Sequence, residues 1–524
     1  MYRISPLGDC LLQGAIFADV ASAEQGNLEL SEVVSKRTPE YLFRNLGLYA
    51  QDTWRILPRL TLTYGLRWDV DWAPASSNGL NFPGATGFNV NNLSTLALAP
   101  PGTAPYRTTY GNFAPRLGVA YQFSHSQDWQ TVFRGGFGVF YDLASSEAGN
   151  STGYYPIEGI SVSLGGTFPL SAQAAAPPPI VPPTATNGVP LWAFDPRMKL
   201  PYTLQWNFSM EQALGKQQAF SVSYVGASGR RLLAREYSNS VQGNPNTTIA
   251  YLLFNGGSSD YDALQVQFQR RLSAGLQALA SYTWSHSIDT GSAASYAARS
   301  NVFAPPSIAG SNRGPSSFDV RHAFSAGVTY DVPGPKVNVV VDQIGRGWSI
   351  ENVLQARSAE PVDVLDGRFE FSELSGINAP VRPDLVTGNS LYLYGSQYPG
   401  GKAFNPVAFV DPPVDPTTHQ PTRNGNLPRN FLTGFGATQW DLGIHRSFPI
   451  HDAMRLQFRA ELFNLLNHPN FGPPANVFGQ SGFGISNQIL AQSLNGSNLG
   501  GGAFSPLYQI GAPRSIQLAL KLQF

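Results

Sequence analysis

The sequence predicts an all-β protein: the C-terminal portion of an antiparallel transmembrane β-barrel, about 13–14 strands, with short periplasmic turns and long extracellular loops. Three observations predict it. Apolar residues recur with period two, the alternating runs are long, and the connections between them are short and long by turns.

Period two is clearest near the end of the chain. Met454, Leu456, Phe458, Ala460 and Leu462 fall on one face, and Arg455, Gln457, Arg459 and Glu461 on the other. Leu60, Leu62, Tyr64, Leu66, Trp68 and Val70 alternate in the same way with Thr61, Thr63, Gly65, Arg67 and Asp69. So do Leu264, Val266 and Phe268 with Gln265, Gln267 and Gln269. In an extended chain these sets point to opposite sides. A sandwich core alternates as well, so run length decides. Strands are expected near 42–55, 59–71, 113–123, 131–142, 201–212, 217–227, 260–271, 274–286, 319–331, 346–356, 436–448, 454–464 and 513–524. Most are long enough to cross a bilayer at a tilt, about 9–11 residues. Ordinary globular strands have roughly 5–6.

Short turns are expected around Leu57-Pro58, Ser124 to Gln130, Leu214 to Lys216, Ser273, Asp331 to Gly345 and Pro449 to Ala453. Between them lie Gly/Pro/Asn/Ser-rich stretches at 72–112, 143–200, 228–259, 287–318, 357–435 and 465–512, expected as structureless loops. A compact soluble domain does not tolerate such loops. Short turns on the periplasmic side and long loops outside are the wiring of an outer-membrane barrel. Direction agrees: if the last strand descends to the periplasm, the strand at 42–55 must descend too, and a short turn follows it.

Composition fits. Charged residues make up 13% of the chain, about half the usual share. Gly (53), Pro (41) and aromatics (12%) take their place, with many amide and hydroxyl residues. Formal net charge is zero, so no nucleic-acid partner is expected. Cys10 stands alone, and no Cys/His spacing suggests zinc. No apolar run is long enough for a transmembrane helix. Pro6 and Asp9 interrupt what would be the core of a secretory signal, so the N-terminal part of the protein is expected to lie outside this sequence.

The end of the chain carries its own signal. Ile516, Leu518, Leu520, Leu522 and Phe524 alternate with Gln517, Ala519, Lys521 and Gln523. A last amphipathic strand closing on Phe resembles the sorting signal read by the barrel-assembly machinery. That machinery and outer-membrane lipid are the expected partners. Trp54, Trp68, Trp72, Tyr141, Trp206, Trp284, Tyr330, Trp348 and Trp440 lie near strand ends, where aromatic girdles meet the interfaces. Arg67, Asp69, Arg455, Arg459 and Glu461 are expected to face the lumen, bonding one another, water or a plug, or lining a substrate path.

Several stretches together resemble the TonB-dependent transporters, specifically their Oar-like β-barrel group. They are Leu48 to Arg55 (LYAQDTWR), Leu60 to Trp68 (LTLTYGLRW), Phe113 to Gly118 (FAPRLG) and Arg134 to Asp142 (RGGFGVFYD). Then come Tyr224 to Arg230 (YVGASGR), Tyr282 to Ser285 (YTWS), Phe318 to His322 (FDVRH) and Arg459 to Phe471 (RAELFNLLNHPNF). The likeness spans roughly residues 42 to 524; each motif is mostly strand pattern, and order and spacing carry the resemblance. It implies a barrel of about 22 strands preceded by a signal peptide, a plug and a TonB-contacting segment. None of these upstream parts is found here, so residues 1–41 are expected as a ragged start within the barrel and 42–524 as its C-terminal part.

Nothing in the chain points to catalysis or a cofactor. Gly135-Gly136-Phe137-Gly138 lies inside an alternating run and opens no helix, so it is not a phosphate loop. Gly226-Ala227-Ser228-Gly229 lacks nucleophile-elbow spacing and is expected as a turn into a loop. The seven histidines are scattered without metal-ligand spacing. Asp319 and Arg321 are expected to pair locally at a strand entrance. The resemblance implies energy-coupled uptake of an extracellular ligand, with the TonB complex engaging a plug region; a passive porin or a structural, adhesive barrel is the alternative. The ligand is not readable.

Overall fold

Each of the thirteen expected runs is a strand, and every strand pairs antiparallel with its neighbours in sequence. In chain order they are β1 (Asn45–Leu57), β2 (Leu60–Asp71), β3 (Asn112–Gln122), β4 (Thr131–Tyr141), β5 (Tyr202–Leu214), β6 (Gln218–Asn239) and β7 (Ile249–Ser273). β8 (Leu276–Asp289), β9 (His322–Asp331), β10 (Trp348–Arg357), β11 (Ala437–His451), β12 (Met454–Phe463) and β13 (Ser515–Gln523) complete the sheet. The computed structural model describes residues 10–124, 126–143, 155–239, 244–247, 249–292, 302–303, 312–333, 345–369, 381–417, 421–451, 454–494 and 511–524. The expected turn from Asp331 to Gly345 falls largely outside them, as do His125 and His419. Among the described residues no ladder joins β1 to β13, so the sheet is a wall with two open edges.

Register sorts the side chains into two faces. Glu211, Ser221, Gln267, Ser281, Ser325, Gln355 and Gln439 lie opposite one another across seven strands. The adjacent row, on the other face, runs Phe220, Phe268, Ala280, Ala326, Leu354 and Trp440. Apolar side chains of this second face stand open: Phe208 is 55% exposed, Trp284 54% and Leu520 71%. In water such a surface would aggregate. In hydrocarbon it is the matching face, and the paired strands satisfy the backbone groups that lipid cannot. Aromatics mark its borders: Trp68 stacks on Phe113 at the upper ends of β2 and β3, and Arg446 lies over Phe448 and Trp348 at the lower ends of β10 and β11.

The long connections depart from expectation. Where described they are not structureless; the three buried hydrophobic clusters among the described residues lie in them or at strand tips. β6 and β7 run on as a tall hairpin, 22 and 25 residues long, so most of the stretch 228–259 is strand. Gly226 to Gly229 is therefore strand interior, not a turn. Period two is lost there: Ala250, Tyr251, Leu252 and Leu253 are buried in a row, and Leu191–Phe194 adds to β7 as a parallel strand. Phe82, Tyr106, Phe194, Met198, Leu200 and Leu253 form a second cluster beside it. The third, around Val364, Phe404, Phe409, Leu432 and Phe483, joins the stretch 358–435 to 465–494. Scattered single apolar residues in Gly/Pro-rich sequence carry no period, so their convergence is invisible before folding.

This third module holds a buried carboxyl. Asp366 is 1% exposed; its Oδ1 accepts from the Arg368 amide at 3.0 Å, and its Oδ2 has no hydrogen-bond partner among the described residues. Arg368 also donates to Asp411 at 2.6 Å. Burial, with the Asp411 carboxylate adding to it, pushes the Asp366 carboxyl above its ordinary range. A folded-state value above the unfolded one favours the fold in acid, and that contribution is lost as pH rises through the raised value. Asp366→Asn is therefore expected to flatten the pH dependence of the module and protect it better at neutral pH. Hydrogen exchange of residues 381–435 in the intact protein between about pH 4 and 7 reads this; an unchanged profile refutes it.

Residues 10–36 stand apart from the wall. Cys10–Ile16, Leu30–Lys36 and Glu158–Leu164 form a three-stranded antiparallel sheet, with no ladder to β1–β13 among the described residues.

Candidate functional site

The polar face of the wall is the candidate site. On β2, Arg67 and Asp69 sit two residues apart and thus share this face. Arg67 Nε donates to both carboxylate oxygens, at 2.8 and 2.9 Å. Gly47 lies opposite, and a Cβ there would collide with the guanidinium. Asn112 Nδ2 donates to the Asp69 carbonyl at 2.9 Å and joins β2 to β3. On β12, Arg459 Nη2 donates to Glu461 at 2.6 Å in the same two-residue geometry. Arg455 stands exposed further down that strand, opposite Gln523. Each Arg–acid pair is closed on its own strand. The pair on β2 and the pair on β12 lie near opposite edges of the sheet, and no ladder among the described residues brings them together.

Between them the wall carries a feature those five residues do not include. Gly65, Gly118, Gly136 and Gly138 occupy neighbouring positions on β2, β3 and β4. Without side chains they open a concavity of about 530 Å³, bordered by Gln51, Arg116, Phe140, Gln205 and Asn207. Arg116 lies 4.4 Å over the Phe140 ring, which holds the cation against the wall. A second, more polar concavity of about 420 Å³ lies lower on the same face, with Glu211, Ser221, Gln267, Gln269 and Arg271 on its walls. The strand parity of the four glycines was legible; their adjacency across three strands needed the register.

Above the wall, polar networks dock the loops. Asp319 accepts from His286 Nδ1 at 3.0 Å and from Arg321 at 3.2 Å, so the expected local pairing reaches across to the end of β8. Arg429 donates to Asp289 and to the carbonyls of Asn312 and Gly314. The apolar outer face of β13 presents Ile516, Leu518, Leu520 and Leu522, and Phe524 follows, 87% exposed.

The sequence matches the family model of the outer membrane beta barrel domain over residues 12–497. The chain belongs to that family. Its apolar face is thus the lipid face, its polar face the lumen, and its place the Gram-negative outer membrane. Among solved structures it is similar to the FrpB iron transporter from Neisseria meningitidis (F3-3 variant), with 11% identity over 95% of this chain and 52% of that one, TM-score 0.41. For the ferric-catecholate import receptor Fiu from E. coli K12 the values are 10%, 94%, 45% and 0.40. For the copper transporter OprC they are 11%, 88%, 54% and 0.39. The chain spans about half the length of these transporters. No curated protein matches it in sequence.

Proposed function

We propose that this chain forms part of the wall of a TonB-dependent outer-membrane transporter and serves energy-coupled uptake of an extracellular ligand. The observation that carries the reading is the polar, glycine-lined lumen face lying beneath packed extracellular loops. The ordered motifs from LYAQDTWR to RAELFNLLNHPNF support it. In this reading the ligand meets the loop modules first. It then passes along the lumen face when the inner-membrane energy complex moves a plug. The chain contributes shape, polarity and anchoring, and Phe524 with the outer face of β13 guides assembly. Planar-bilayer recording of the full-length protein purified from outer membranes tests it. A gated transporter is expected to show no steady conductance; a stable open pore overturns energy coupling in favour of a passive porin.

A further inference from the structure

The lumen face has a chemical character that selects among ligands, granted the transport reading above. Between the charged pairs on β2 and β12, the lumen side of β5 to β9 is a field of amides and hydroxyls. β5 presents Gln205, Asn207 and Ser209; β6 presents Ser221 and Ser223. β7 presents Gln265, Gln267 and Gln269; β8 Ser281 and Thr283; β9 Ser325 and Thr329. Gln205, Asn207 and the three β7 glutamines are exposed. No described side chain or backbone group hydrogen-bonds their amides, in contrast to Ser281 and Ser325, which bond each other at 2.8 Å. The amides are therefore available to something that enters the lumen.

Three arginines of this face are neutralised locally, while Arg116 lies over the Phe140 ring and Arg271 and Arg455 stand exposed. Arg134 pairs with Glu211, Arg67 with Asp69 and Arg459 with Glu461. An anionic chelate sliding past would meet an acid beside each of these arginines. Amides and hydroxyls, by contrast, both donate and accept, as sugar hydroxyls do. The two concavities lie along the field, the upper one reaching Gln205 and Asn207 and the lower one Gln267 and Gln269.

We propose that the cargo is a neutral oligosaccharide and that the β5–β9 amide field is its track. The test is equilibrium binding of the full-length detergent-purified protein, without energisation. The panel holds neutral maltohexaose, cellohexaose, xylohexaose and chitohexaose, anionic oligogalacturonate and a ferric catecholate. Saturable binding of at least one neutral glycan is expected, at least tenfold tighter than oligogalacturonate. Gln267→Leu with Gln269→Leu is expected to weaken it about tenfold, while Val266→Leu on the lipid face leaves it as in the unaltered protein. A panel in which no neutral oligosaccharide binds, or in which the anionic ligands bind best, overturns the proposal. Neutral-glycan binding without energised accumulation would instead refute energy coupling and leave this inference standing.

Discussion

Val222→Arg is expected to prevent most of the protein from reaching its folded, heat-modifiable form, whereas Ser223→Arg, one residue along, leaves folding intact. Val222 lies on the apolar face of β6, level with Met210 and Val266 on the adjoining strands. That height is near the middle of the lipid-crossing span, where an arginine costs about 2–4 kcal/mol. A barrel in which each strand holds its neighbours loses more than one local contact when a strand fails to insert. Ser223 points into the lumen between Ser209 and Gln265, and water there solvates a new guanidinium for about 0.5 kcal/mol or less. Gel mobility with and without heating, and urea unfolding in lipid, read both variants. Equal behaviour of the two would refute the assignment of faces.

Arg429→Ala is expected to release the loop module from the wall. The side chains of Arg429 and Asp289 are 5% and 7% exposed, and the guanidinium satisfies three backbone carbonyls besides the carboxylate. Truncating one partner leaves a buried, uncompensated charge, which costs about 3–5 kcal/mol. Asp289 keeps its bond from Ser316, so the loss is not total. Arg429→Met with Asp289→Asn removes both charges and is expected to recover most of the loss. Limited proteolysis of intact cells reports on residues 381–435: rapid cleavage in the single variant, slow in the double. A single variant as resistant as the parent would show that Phe404, Phe409 and Leu432 hold the module unaided.

Much of the fold was legible because a membrane wall obeys one local rule. Lipid on one side and a wet lumen on the other force period two along every crossing strand. Leu264 against Gln265 or Leu518 against Gln517 is therefore readable without a partner. Arg67 with Asp69 and Arg459 with Glu461 were readable for the same reason, since residues two apart on a strand share a face. The upper halves of β6 and β7 were not. Their apolar residues are buried by Leu191 to Phe194, some sixty residues away in sequence, and by Ala85 and Leu96 from a loop farther off still, and no local pattern announces such a contact.

The sequence by itself determined the strand count, the direction of each strand, the two faces and the class of membrane, because these follow from composition and spacing along one chain. Only the tertiary structure decided that the loops are packed modules and that Arg429 locks one of them to Asp289. It alone gathered four glycines from three strands into one concavity. Those features depend on register and long-range approach, which are settled when distant segments exclude lipid and water together.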